Sequence, residues 1–364
     1  MFFGPNLYNV FKWACPNGED ISVCLGISIV FRISLSLAAL HLLMFLICLC
    51  RNPVTAALND GALMLKAIIV IALNVGFLFI PNNVFKIDGY ICMGASFLFL
   101  SWQLIILVDL AYTWNSKWVE SYDGAEGGKC WGVTLIIFTV LFYGAGAALM
   151  VYCYFQAKYH NALNIIVISV TLVSGVGYTV LTLICKRSIF TSAILFLCTS
   201  CLCWSAIIGY NSTSTSNLDT LLQIFVGLGF LLLALFYESA NTVTSEEETD
   251  GKKTLIEKAN SAVAENVEQS DKDNAKTAVA DKTASPPEVT MATALFSLML
   301  MFASFYYAMV LTNWGSPYIG GHKSNFFVNP AVGFWIKLGS EWVVILLFFW
   351  SIIAPLVCRN REFE

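Results

Sequence analysis

Five charged side chains fall within or at the edges of long apolar runs: Arg32, Lys66, Asp109, Lys337 and Glu341. An ionised group in lipid is costly, so such residues face protein, water or a counter-charge, and they mark paths for ions and polar groups. The chemistry on offer is therefore the binding or passage of a headgroup, ion or small zwitterion. Lys66 and Lys337 have a simpler account. A long cationic stem can reach the headgroup layer or a carboxylate on a neighbouring helix. Asp109 and Glu341 are too short to reach far, so structural pairing and function stand side by side for them. Lys337 and Glu341 are also spaced i, i+4, which lets them pair with each other on one helix face. Arg32 lies about two turns into its run and asks for a polar network or a lipid headgroup. Gln103 and Asn74 add uncharged members to a polar track across a helical bundle.

Bond-making chemistry finds little here. The chain has no G-x-S-x-G elbow, no H-E-x-x-H and no glycine-rich phosphate loop. His41, His160 and His322 fall in different regions, without acidic or cysteine neighbours at useful spacing. No cofactor or metal is expected, and no enzyme activity. The absence of a basic stripe argues against nucleic acid as a partner.

The solvent that positions these residues is a bilayer. Of 364 residues, 58% are hydrophobic and 12% charged, against about 45–50% and about 25% in soluble domains. The mean hydropathy is +0.72. Runs near 24–50, 61–80, 89–110, 131–155, 162–185, 189–210, 219–239, 291–311 and 333–357 each approach the roughly 20 residues that cross about 30 Å of hydrocarbon. They are apolar all round, so they predict helices rather than barrel strands. The fold class is an all-α polytopic bundle of about nine transmembrane helices. Residues 1–13 lack a basic start and an apolar core, so the first span is expected to serve as its own insertion signal.

Ser101–Glu120, SWQLIILVDLAYTWNSKWVE, shows the pattern best. An uncharged run from Gly89 to Val108 meets Asp109, then Trp114, Lys117 and Trp118, the residue types that the headgroup layer prefers. Aromatic-belt anchoring is the reading for every Trp, Trp314 included.

Lys and Arg counts in alternate loops set the orientation. Lys12, Lys86, Lys158 and Lys323 fall on one side. Arg51, Lys117, Lys129, Lys186, Arg187, Arg359, Arg361 and six lysines of 240–290 fall on the other. The second side is then cytoplasmic, with the C-terminus, and Asp109 lies near that face. The sequon Asn211-Ser212-Thr213 falls in a loop on the lumenal side, where N-glycosylation occurs. Segments follow as a lumenal 1–23, a bundle over 24–239, a polar loop over 240–290, two spans over 291–357 and a cytoplasmic tail over 358–364. Residues 240–290 hold no aromatic residue and end in Pro286-Pro287, a composition that predicts a solvated linker, with docking of a cytoplasmic partner as the sharper alternative. Cysteines within apolar runs, such as Cys198, Cys201 and Cys203, read as small hydrophobes. Cys15 and Cys24 flank a polar turn and are placed for a disulfide if that end is extracytoplasmic.

Arg32-Ile33-Ser34, the LVDLAYTWNSKWVE block, the LTNWGSP block and the tail WVVILLFFWSIIAPLVCRNREF resemble the serine incorporator (Serinc, or TMS) family, in order and spacing over nearly the whole chain. The resemblance implies a eukaryotic protein of about ten spans with a long cytoplasmic loop before the last two. It implies a carrier or scaffold that promotes incorporation of serine into phosphatidylserine and sphingolipids beside the biosynthetic enzymes. It implies, alternatively, an ATP-independent lipid scramblase. Membrane lipids, serine and serine-lipid synthases are the expected partners, in the endoplasmic reticulum, endosomal or plasma membrane. The family's first span and the cysteine-rich segment before it have no match here. Nine spans with a lumenal Met1 is what removing that helix leaves. Cys15 and Cys24 correspond to a lumenal cysteine pair of the family, which supports the disulfide.

Overall fold

The computed structural model describes residues 21–49, 63–80, 82–124, 129–155, 161–210, 222, 225–241, 291–312, 314 and 330–357. Among them nine helices occur and no strand: α1 Ile21–Leu49, α2 Leu63–Leu78, α3 Asn82–Gly124, α4 Lys129–Phe155, α5 Ala162–Ile184, α6 Ile189–Tyr210, α7 Phe225–Asn241, α8 Met291–Leu311 and α9 Pro330–Val357. Each matches one predicted run. Helix is the necessary answer, because hydrocarbon offers no partner for backbone N–H and C=O groups. Seven helices are long and apolar enough to cross a membrane. The 16-residue α2 extends about 24 Å at 1.5 Å per residue, and α2 and α7 are shorter apolar helices outside those seven, where nine spans were expected.

Hydroxyl residues inside the helices donate back to the preceding turn, as Thr134 does to the Cys130 carbonyl, Thr139 to Leu135 and Thr182 to Tyr178. That satisfies the group locally and lets a polar residue sit in an apolar span.

The chain forms two compact units. The first comprises residues 1–35, 79–235 and 302–364, and α6 is its hub, packed against α3, α4, α5 and α9. Met150, Ile168, Cys203, Ile207 and Phe334 form one buried cluster around it, and Leu104, Tyr178, Phe196 and Phe348 belong to another. Phe196 of α6 lies against Gly146 of α4 and Gly175 of α5. The thiols of Cys198, Cys201 and Cys203 are free, and Cys198 and Cys203 lie in these apolar clusters, as expected. The second unit comprises residues 36–78 and 236–301. Cys48, Ala294 and Phe45 form a small cluster in it, and α2 contributes no buried residue.

Two helix ends are held by left-handed residues. After α5, Lys186 takes φ 52°, while the Lys186 N–H donates to Leu183 and the Arg187 N–H to Thr182. These two bonds are the Schellman pattern that usually employs glycine. After α8, Trp314 takes φ 60° and its N–H reaches the Met309 carbonyl at 2.7 Å.

One helix departs from expectation. The 43-residue α3 does not stop near residue 110 but runs on through the tryptophan block to Gly124. At about 65 Å it is twice the roughly 30 Å hydrocarbon thickness, so it must cross obliquely or carry an end out of the lipid. Its distal half is pinned by rings. Trp114 lies 5.4 Å from Phe190 and 5.2 Å from Trp118, and Trp118 lies 6.1 Å from Trp131, in contacts that join α3, α4 and α6.

Candidate functional site

The five charged residues separate by burial. Arg32, Lys337 and Glu341 are buried, Lys66 is half-buried and Asp109 is exposed. The Asp109 carboxylate sits on the outer face of α3 rather than inside the bundle. Lys66 and Asn74 belong to the second unit, where Asn74 donates to the Val70 carbonyl of its own helix at 2.8 Å. The expected continuous polar track resolves, within the first unit, into separate buried polar positions.

At the first, Arg32 of α1 donates to the carbonyl and hydroxyl of Ser28 and, across 3.1 Å, to the carbonyl of Ile80. Its guanidinium lies 4.5 Å from the ring centroid of Phe85. A carbonyl just ahead of α3 is thereby satisfied by a planar cation, a geometry that suits Arg and not Lys. One turn along α3, Asp88 is 4% exposed, and the Cys92 thiol of the next turn lies beside its carboxylate. In the sequence Asp88 stands just before the uncharged run of Gly89–Val108, where nothing local signals its burial.

On α9 the pairing of Lys337 with Glu341 is not made. Lys337 turns to α6 and donates to the Ser205 hydroxyl at 2.8 Å and carbonyl at 3.1 Å. Glu341, one turn on, turns to α5, where its Oε1 accepts from the Thr171 hydroxyl at 2.8 Å; among the described residues its Oε2 has no partner. Spacing permits an ion pair, but each side chain finds a donor or acceptor on a different neighbouring helix.

Trp314 is also displaced from its expected role. It is 8% exposed, not a belt residue. Its ring lies so close to α9 that a Cβ on Gly333 would come within 2.7 Å of it, and the Lys337 ammonium stands 5.8 Å from the ring centroid. The left-handed backbone at Trp314 and the missing side chain at Gly333 together make this seat.

Lys337, Ser205 and Gln103 line one cavity, about 30 Å³ open to the centre of a water molecule. That admits about two waters. Gln103 is 4% exposed, and among the described residues its Oε1 has no partner. The remaining wall is mainly apolar, with Leu104, Leu107, Leu202 and Phe230. A second, open groove of about 610 Å³ lies along α3 and α9, walled by Tyr90, Phe97 and Trp335. Among the described residues no cluster of three or more His, Cys, Asp or Glu is set to hold a metal. Cys15, Asn211 and residues 242–290 lie outside the described residues, as does the side chain of Cys24, so the disulfide, the sequon and the linker fall there too.

Apolar helices of membrane length around buried charged and amide side chains define a polytopic helical membrane protein. The chain belongs to the serine incorporator (Serinc) family, whose pattern matches residues 5–361. It is 29% identical over 399 residues to serine incorporator 3 of Bos taurus, covering 95% of this chain and 82% of that one. It is 26% identical over 393 residues to a probable serine incorporator of Nematostella vectensis, covering 98% and 85%. To serine incorporator 5 of Macaca fascicularis it is 24% identical over 396 residues, covering 95% and 90%.

Proposed function

We propose that this protein supports incorporation of serine into phosphatidylserine and sphingolipids as a non-enzymatic carrier or scaffold, handling polar headgroups within the bilayer. The observation that carries this reading is the cavity where Lys337, Ser205 and Gln103 meet a wall of leucine and phenylalanine. It places one charged and two polar side chains against an apolar wall inside the first unit, with room for about two waters. Family membership supplies the serine-lipid context. Membrane lipids, serine and serine-lipid synthases are the proposed partners. The lysine and arginine distribution supports a cytoplasmic C-terminus, in an endoplasmic reticulum, endosomal or plasma membrane.

A second reading, passive movement of phospholipid between leaflets, is favoured by the open groove along α3 and α9. A groove lets a headgroup move on protein while the acyl chains stay in lipid, which lowers the cost of taking charge through hydrocarbon.

Cells expressing the full chain, fed labelled serine, are expected to transfer more label into phosphatidylserine and sphingolipid than cells without it. Equal labelling at matched protein levels in the membrane would remove the serine role.

A further inference from the structure

Lys337 is a buried cation without a counter-charge among the described residues. Its ammonium is 3% exposed and donates to the hydroxyl and carbonyl of Ser205, a neutral residue. An ammonium has three N–H groups, so one remains beyond those two bonds. The face of Trp314, 5.8 Å away, offers a quadrupole but no net charge. Glu341, one turn on, is bonded to Thr171 instead. A single charge enclosed in this way is costly until an opposite charge joins it.

The space beside Lys337 narrows the choice of that charge. No Asp or Glu lines the cavity, whose open space is about 30 Å³, room for about two waters. The wall also carries the Gln103 amide, the Tyr306 phenol and the thiols of Cys198 and Cys201, all of which bear N–H, O–H or S–H donors. Water alone meets hydrogen bonds but brings no charge. A phosphate or carboxylate headgroup brings charge but does not fit. A monoatomic anion satisfies both conditions.

We infer that this cavity binds a halide ion, chloride in the cell, as the counter-ion of Lys337. The ion takes the place of one water beside the ammonium. The second water donates one hydrogen to the ion and the other to Gln103 Oε1, an acceptor with no other partner among the described residues. Lysine on α9 is thereby neutralised against α3 and α6, which supply Gln103 and Ser205. The inference goes beyond the serine-lipid reading and does not depend on it.

The test uses the purified full chain in detergent, held in sodium gluconate and titrated with sodium chloride at constant ionic strength. Radioactive chloride is expected to saturate at about one ion per chain, and the unfolding midpoint to rise with chloride as mass action requires. Bromide should displace the labelled chloride, whereas phosphate should not, being too large for the space. Lys337→Met should remain folded, since an apolar side chain in place of a buried charge is often neutral or stabilising. It should bind chloride at least about tenfold more weakly, the scale of one hydrogen bond from a charged group. Gln103→Glu brings a carboxylate to the same wall and should abolish chloride binding by pairing with Lys337. No chloride bound by the parent chain would overturn the inference. So would a chloride response undiminished in Lys337→Met, or displacement by phosphate as effective as by bromide. None of these results depends on serine incorporation in cells, so the two readings fail separately.

Discussion

Adding one methyl group at Gly175 is expected to lower the stability of the first unit by about 1–3 kcal/mol, the usual cost of overpacking a filled core. A Cβ there would stand 2.6 Å from Phe196 Cδ2 and 2.7 Å from its Cε2. Gly146 grips the other edge of the same ring, where a Cβ would stand 2.8 Å from Cδ1 and 2.9 Å from Cε1. The ring cannot retreat from one glycine without closing on the other. Close backbone approach through small residues is a common means of helix association in lipid, where the hydrophobic effect offers little drive. Gly146→Ala should behave alike, and the double variant should lose more than the sum of the two singles, since both consume the same slack. Phe196→Leu should recover part of the loss in either alanine variant while costing stability alone. Thermal unfolding in detergent reads the series. Full additivity, with no recovery by Phe196→Leu, would mean that the ring is not the shared obstacle.

Arg32→Met should cost about 2–4 kcal/mol, because hydrogen bonds from a buried charged group are worth more than neutral ones. The methionine fills part of the volume but leaves the Ile80 carbonyl without the donor that reaches it across 48 positions of sequence. Arg32→Lys should recover less than half of the loss. An ammonium has no planar fork to serve Ser28 and Ile80 together while lying on Phe85. Unfolding midpoints of the three proteins test this; a lysine variant as stable as the parent would reduce the site to a point charge.

Much of the bundle was readable because apolar length is a local property set by bilayer thickness. Among the described residues the nine runs became nine helices, seven of them long and apolar enough to cross a membrane. Hydropathy failed where structure outlasts it. The run ends at Val108, yet α3 continues to Gly124, and the segment between Gly94 and Gly124 has no glycine or proline to stop it. The polar positions were only half legible. Residue type pointed to Arg32, Gln103 and Glu341, all buried. It could not say which neighbour each would meet, because Thr171 and Ser205 lie on other helices and look like ordinary span hydroxyls. The i, i+4 spacing suggested a pair for Lys337 and Glu341, and tertiary partners outcompeted it. Trp314 read as an interfacial anchor, since nothing local reveals that Gly333 leaves room for its ring. Asp109 drew attention as a carboxylate in an apolar run, yet it is exposed, whereas Asp88 at the run's edge is buried.

Handling of polar headgroups within the bilayer, as proposed above, includes passive movement of phospholipid along the first unit, which needs no chemical energy source. Vesicles containing the purified full chain and a trace of headgroup-labelled phosphatidylethanolamine, with no nucleotide present, measure it directly. Label in the inner leaflet should become accessible to an external quencher much faster than in empty vesicles. Accessibility no faster than in empty vesicles, from protein that is folded and inserted, would contradict the account.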